Sequence, residues 1–144
     1  MAEAIGIAGS VVGIVTAALH GVRLLLDDVR NIQDAPDSIQ TLQSELDLAD
    51  RALESLRDIN ESQWAFLGKA VVGHAETTIE SCTKACKAFR DKLQDWTSRS
   101  KDGKLSWRDR SSIGFFKQAQ VKSMSQNLQS CHVMITSMVS TATL

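Results

Sequence analysis

The sequence predicts an all-α fold, a four-helix bundle with a long apolar N-terminal helix. Three observations predict it. Apolar residues recur at alternating steps of three and four along three long segments, the seam of packed helices and not the period of a strand. One proline, Pro36, interrupts 144 residues, so little punctuates the chain. The opening segment carries no charged residue from Ala4 to Leu19, so other helices or lipid must cover it.

The length suits a single domain spanning 1–144, large enough to bury roughly 70% of its unfolded surface without a staple. With 43% hydrophobic and 23% charged residues, the chain is neither a disordered tail nor a multi-span membrane protein. Three cysteines without paired spacing argue for a reducing compartment.

Helix 1 is expected over about 2–32, close to 45 Å at about 1.5 Å per residue, and apolar nearly all round at first. Its uncharged run of sixteen residues falls short of the ~20 that span a bilayer. Glu3 stands where a secretory signal would carry a base. Gly9 and Gly13 form a GxxxG, although each helix glycine costs about 1 kcal/mol. That spacing lets a second helix approach closely, either inside the bundle or between copies in lipid.

Helix 2 is expected over 36–60, with Asp34 as cap and Pro36 in its first turn. Its seam is Ile39, Leu42, Leu46, Ala49, Leu53 and Leu56, on an otherwise acidic helix. Helix 3, over 62–97, follows the break at Asn60–Ser62. Its stripe begins Trp64, Leu67, Val71 and continues through Ala75, Ile79, Cys82, Cys86, Phe89, Leu93 and Trp96. Residues 97–106 read as a polar, basic loop turning at Gly103. Ser106 and Asp109 offer a capping box for helix 4, expected over 107–142. Its seam is Val121, Met124, Leu128, Cys131, Ile135, Met138 and Ala142, with Ile113, Phe115 and Phe116 near its start.

Little here supports catalysis. Cys82, Cys86 and Cys131 fall on core stripes, where cysteine acts as a small hydrophobe, and no CxxC pairing brings in His74 or His132 as zinc ligands. The stretch Gly68–His74 lacks the strand and the residue order of a P-loop, and HExxH and GxSxG are absent. The Asp27–Asp28 pair reads as a solvated face. The expectation is a non-enzymatic chain with no catalytic residue, metal or cofactor.

Charge is distributed unevenly. Residues 1–83 hold five bases and thirteen acids, a net −8, whereas 84–144 hold eleven bases and four acids, a net +7. The two halves can simply attract each other, or the basic half can meet an anionic surface. No helix-turn-helix, zinc-finger or stacking-aromatic pattern points to nucleic acid. The cluster Arg99, Lys101, Lys104, Arg108 and Arg110 is either exposed loop charge or a lipid-docking surface, at ~1 kcal/mol per base on anionic lipid. Trp64, Trp96 and Trp107 lie near expected helix ends, where they either pack or anchor at a headgroup layer.

The opening MAEAIGIAGSVVGIVTAALHGVRLLLDDVRNIQDAPDSIQTLQSELDLADRALESL resembles the N-terminal HeLo-like domain of fungal cell-death and NLR-type (STAND) proteins. The likeness spans the chain in helix order and is most specific over Met1–Ser55; beyond residue 60 it is one of pattern. The resemblance implies a bundle that executes or signals regulated cell death, similar to the mammalian necroptosis executioner and the coiled-coil domains of plant NLRs. It implies a cytoplasmic domain that moves to the plasma membrane when an attached receptor or amyloid module clusters it. The apolar first segment is then released, oligomerises and permeabilises the membrane. Glu3, Gly6 and the apolar positions from Ile5 to Leu26 match the family; it has no catalytic residues to transfer.

On this reading the membrane-insertion residues are Glu3, Ile5, Gly6, Ile7, Gly9, Val11, Val12, Gly13, Ile14, Val15, Leu19, Leu24 and Leu25, within an inserting segment 4–26. Glu3 would be tolerated lining a pore. Arg99, Lys101, Lys104, Arg108 and Arg110 would bind anionic lipid. The competing expectation is a non-lytic signalling or oligomerisation module, with helix 1 permanently buried.

Overall fold

The computed structural model describes residues 2–32, 36–99, 105–107 and 115–144, with side chains described over 11–32, 36–97 and 117–144. The chain is helical, with five helices: α1 (Ala2–Arg30), α2 (Asp37–Arg57), α3 (Glu61–Leu67), α4 (Lys69–Trp96) and α5 (Phe115–Ala142). Two short strands, β1 (Thr97–Arg99) and β2 (Leu105–Trp107), pair antiparallel between α4 and α5, with Ser98 opposite Ser106.

α1 stops two residues before the sequence suggests. Its last turn tightens, Ile32 N donating to the Val29 carbonyl at 3.2 Å, as helix ends do when carbonyls run short of partners. α2 starts after Pro36, whose carbonyl accepts from Ile39 N at 2.9 Å and whose own position gives no side-chain cap. The expected cap, Asp34, lies outside the described residues. The whole seam expected for α2 is buried, and so is that of α5 from Val121 to Met138, with Ala142 half-buried.

The expected third helix is two helices. Asn60 caps α3, its side chain accepting from Gln63 N at 2.9 Å while Gln63 Oε1 accepts from Asn60 N at 2.9 Å. Gly68 then turns the chain at φ 84°, ψ 161°, a conformation open essentially to glycine alone. The break resets the helical phase. Val72 is buried in α4 and Val71 is exposed, contrary to the expected stripe, which rejoins at Ala75 and stays buried to Leu93.

The α4–α5 connection also departs from expectation. Ser106 lies in β2, its side chain outside the described residues, and Asp109 lies outside the described residues altogether. Buried Thr97 closes α4 by donating its hydroxyl to the Leu93 carbonyl at 2.7 Å.

The expectation that helix 1 is apolar nearly all round is also corrected. Over its described side chains α1 is two-sided. Val11, Val15, Ala18, Leu19, Val22, Leu25, Leu26 and Val29 are buried, while Val12, Gly13, Thr16, Ala17, His20, Arg23 and Asp27 are exposed. The outward residues are mostly small or polar, and charges crowd its last turns. Among the described residues no helix is long and apolar enough to cross a membrane.

α1 packs against α2 and α4, and α5 packs against the same two helices. Gly21 of α1 lies beside Thr83 of α4, and Asp28 pairs with Arg90 seven residues further along both. α1 and α4 therefore run parallel. Lys117 sits over the Trp96 ring, so α5 returns antiparallel to α4. The start of α1 consequently lies at the end of the molecule opposite the β1–β2 pair.

Candidate membrane-active helix and its anchorage

The residues expected to insert do not share one environment. Val11, Val15, Leu19 and Leu25 are buried, and Ile14 and Leu24 half-buried. Val12 is 42% exposed. A Cβ added at Gly13 would meet nothing within 4 Å, so the second glycine of the GxxxG is not a site of close packing in this fold. Glu3, Ile5, Gly6, Ile7 and Gly9 belong to α1 by backbone, and their side chains lie outside the described residues. So do the side chains of Arg99, in β1, and of Lys101, Lys104, Arg108 and Arg110.

Sequence reasoning missed the polar anchorage of α1. Arg23 Nε donates to Asp50 Oδ2 at 3.0 Å, and its Nη2 also bonds Glu54. Hydrogen bonds to Asp50 and then Glu54 hold the Arg23 guanidinium further above its already high pKa. Arg30 Nη2 donates to Asp47 Oδ1 at 2.8 Å. Toward α4, Arg90 Nε donates to Asp28 Oδ2 at 2.6 Å. The first three links were foreshadowed by spacing: bases seven apart on α1 face acids three and four apart on α2.

The pairing also corrects the reading of Asp27–Asp28 as one solvated face. Asp27 is exposed, but Asp28 is only 8% exposed, because adjacent helical residues point about 100° apart.

Other polar groups cluster modestly. His132 Nε2 lies 3.3 Å from Glu45 Oε2, joining α5 to α2. A shallow groove of about 220 Å³ beside it is lined by Leu48, Arg51, Ala52, Ser55, Thr136 and Val139, among others. The three cysteines are free and buried. The hydrogen bond with Cys82 and burial push the Cys86 thiol up, and the same causes raise Cys131. Among the described residues no three His, Cys, Asp or Glu side chains are grouped to hold a metal.

Of the tryptophans, Trp64 is fully buried and Trp96 packs edge-on against Phe89 at 5.8 Å. Trp64 is thus shut into the core, whereas Trp96 is half-buried. The side chain of Trp107 lies outside the described residues.

Over its described residues the chain is helical, and its first helix is tied into place by packing and ion pairs. It belongs to the family described as pigment biosynthesis cluster protein PigL N-terminal, whose profile matches residues 2–144. Comparison with curated proteins and with solved structures gives no match.

Proposed function

We propose that this chain is a HeLo-like four-helix bundle acting as a non-enzymatic, membrane-directed cell-death effector domain. α1, α2, α4 and α5 form its four walls, since α1 and α5 each pack on both α2 and α4. In this reading a C-terminal receptor or amyloid module clusters several copies in the cytoplasm. α1 is then released into the anionic plasma membrane, where the helices associate. The observation that carries the reading is the charge-free stretch from Ala4 to Leu19 at the start of a helix whose outer side offers Val12, Gly13 and Ala17. Exchanging bundle contacts for lipid changes apolar burial little, so smaller terms and local concentration decide the state. The basic residues Arg99, Lys101, Lys104, Arg108 and Arg110 are proposed to attract anionic headgroups.

A second reading is a non-lytic signalling or oligomerisation module of an NLR-like protein, favoured by the burial of Val11, Val15, Leu19 and Val22 and by the ion pairs of Arg23, Asp28 and Arg30 that hold α1 in place. Dye release from anionic and neutral vesicles, with the purified chain free and fused to a forced oligomeriser, separates the two. The effector reading expects steep, concentration-dependent leakage from anionic vesicles. It also expects loss of leakage in Val12→Lys, which folds because Val12 faces solvent. Leakage retained by folded Val12→Lys overturns insertion of α1, and no leakage even from the oligomerised chain leaves the signalling module.

A further inference from the structure

Resting on the reading of α1 as the membrane-active element, we infer that α1 is a two-part device: residues 23–30 are an ionic anchor that stays on the bundle, and only the segment before Arg23 swings out. Among the described residues, the ion pairs that tie α1 to its neighbours sit at Arg23, Asp28 and Arg30. Between Ala4 and Val22 the only titratable side chain is His20, which is exposed. Among its described residues, 11–22, that segment is held by packing, through residues such as Val11, Val15, Leu19 and Val22, and by no ion pair.

Lipid offers packing of similar quality, but it offers nothing to Arg23, Asp27, Asp28 and Arg30, whose charges resist entry into hydrocarbon. The nineteen residues from Ala4 to Val22 measure about 28 Å as a helix, close to the ~30 Å hydrocarbon core. The anchor begins where the bilayer would end. This shortens the inserting segment from 4–26 to 4–22 and makes Arg23 its hinge.

The parallel register of α1 and α4 supplies the test. Positions 21/83 and 28/90 face each other, and one heptad earlier the same register matches Ile14 with Glu76, both half-buried. Cysteine pairs Ile14→Cys/Glu76→Cys and Asp28→Cys/Arg90→Cys are oxidised to disulfides, and each is compared with its reduced form in the dye-release assay. The 14/76 cross-link is expected to lower leakage at least tenfold and to restore it on reduction, while the 28/90 cross-link leaks as its reduced form does. Leakage abolished by the 28/90 cross-link, or unaffected by the 14/76 one, overturns the inference. If no form leaks, the membrane reading itself has failed. Amide hydrogen exchange in solution then decides the anchor alone: residues 11–22 are expected to exchange at least tenfold faster than 23–30, and equal rates overturn it.

Discussion

Asp27 and Asp28 are chain neighbours with opposite roles, and the difference sets what each substitution does. The Asp28 side chain is 11% exposed and meets Arg90 at 2.6 Å. Removing one partner of such a pair leaves a charge that is poorly hydrated and unpaired. Arg90→Ala is expected to lower unfolding free energy by about 2–3 kcal/mol, read from the urea midpoint at constant slope. Arg23 has two acidic partners but is 46% exposed, so Arg23→Ala should cost less than about 1 kcal/mol. Equal losses would mean that burial does not distinguish the two sites. Gly13 works in the other direction. Its added methyl meets open space, so Gly13→Ala should stabilise the resting fold by about 1 kcal/mol through helix propensity. If Gly13 serves contact between inserted helices, the same variant leaks less despite being more stable.

Among the elements, α2 and α5 were legible because a continuous heptad stripe sets which side is buried before any tertiary contact is known. The break inside the expected third helix was not. Gly68 and Gly73 look alike in sequence, yet Gly68 has φ 84° while a Cβ at Gly73 would meet nothing within 4 Å inside a regular helix. Only the chain path tells them apart, and the phase shift from Val71 to Val72 follows from it. The contrast is measurable: Gly68→Ala should cost about 1–3 kcal/mol for holding a side chain in a strained backbone region, whereas Gly73→Ala should gain up to about 1 kcal/mol. The β1–β2 pair was illegible for a related reason, since strands of three residues carry too short a pattern to read. The cysteines of the α4–α5 seam, by contrast, were read correctly as core. Native protein should react with Ellman's reagent slowly at neutral pH, and all three thiols should react at once in denaturant.

For the molecule as a whole, helix direction constrains how a membrane can be approached, and this was invisible in the sequence. From the sequence, insertion falls to α1 and lipid docking to the basic cluster, with neither placed relative to the other. Because α1 runs parallel to α4, the start of α1 lies a helix length, about 40 Å, from the β1–β2 pair at the end of α4. The far end, beside the start of α1, carries Phe66, 71% exposed, and exposed Val71. On the proposed reading, docking through the basic residues near β1–β2 would hold the apolar end away from lipid until α1 is released. Two singly labelled proteins, Lys101→Cys and Val12→Cys, carrying an environment-sensitive dye make the order measurable. With anionic vesicles, the signal at 101 is expected first and should vanish in 1 M salt, where the Debye length falls from about 10 Å to about 3 Å. The signal at 12 should follow, together with leakage. If 12 responds first and salt has no effect, the apolar end leads and the basic connection plays no part in docking.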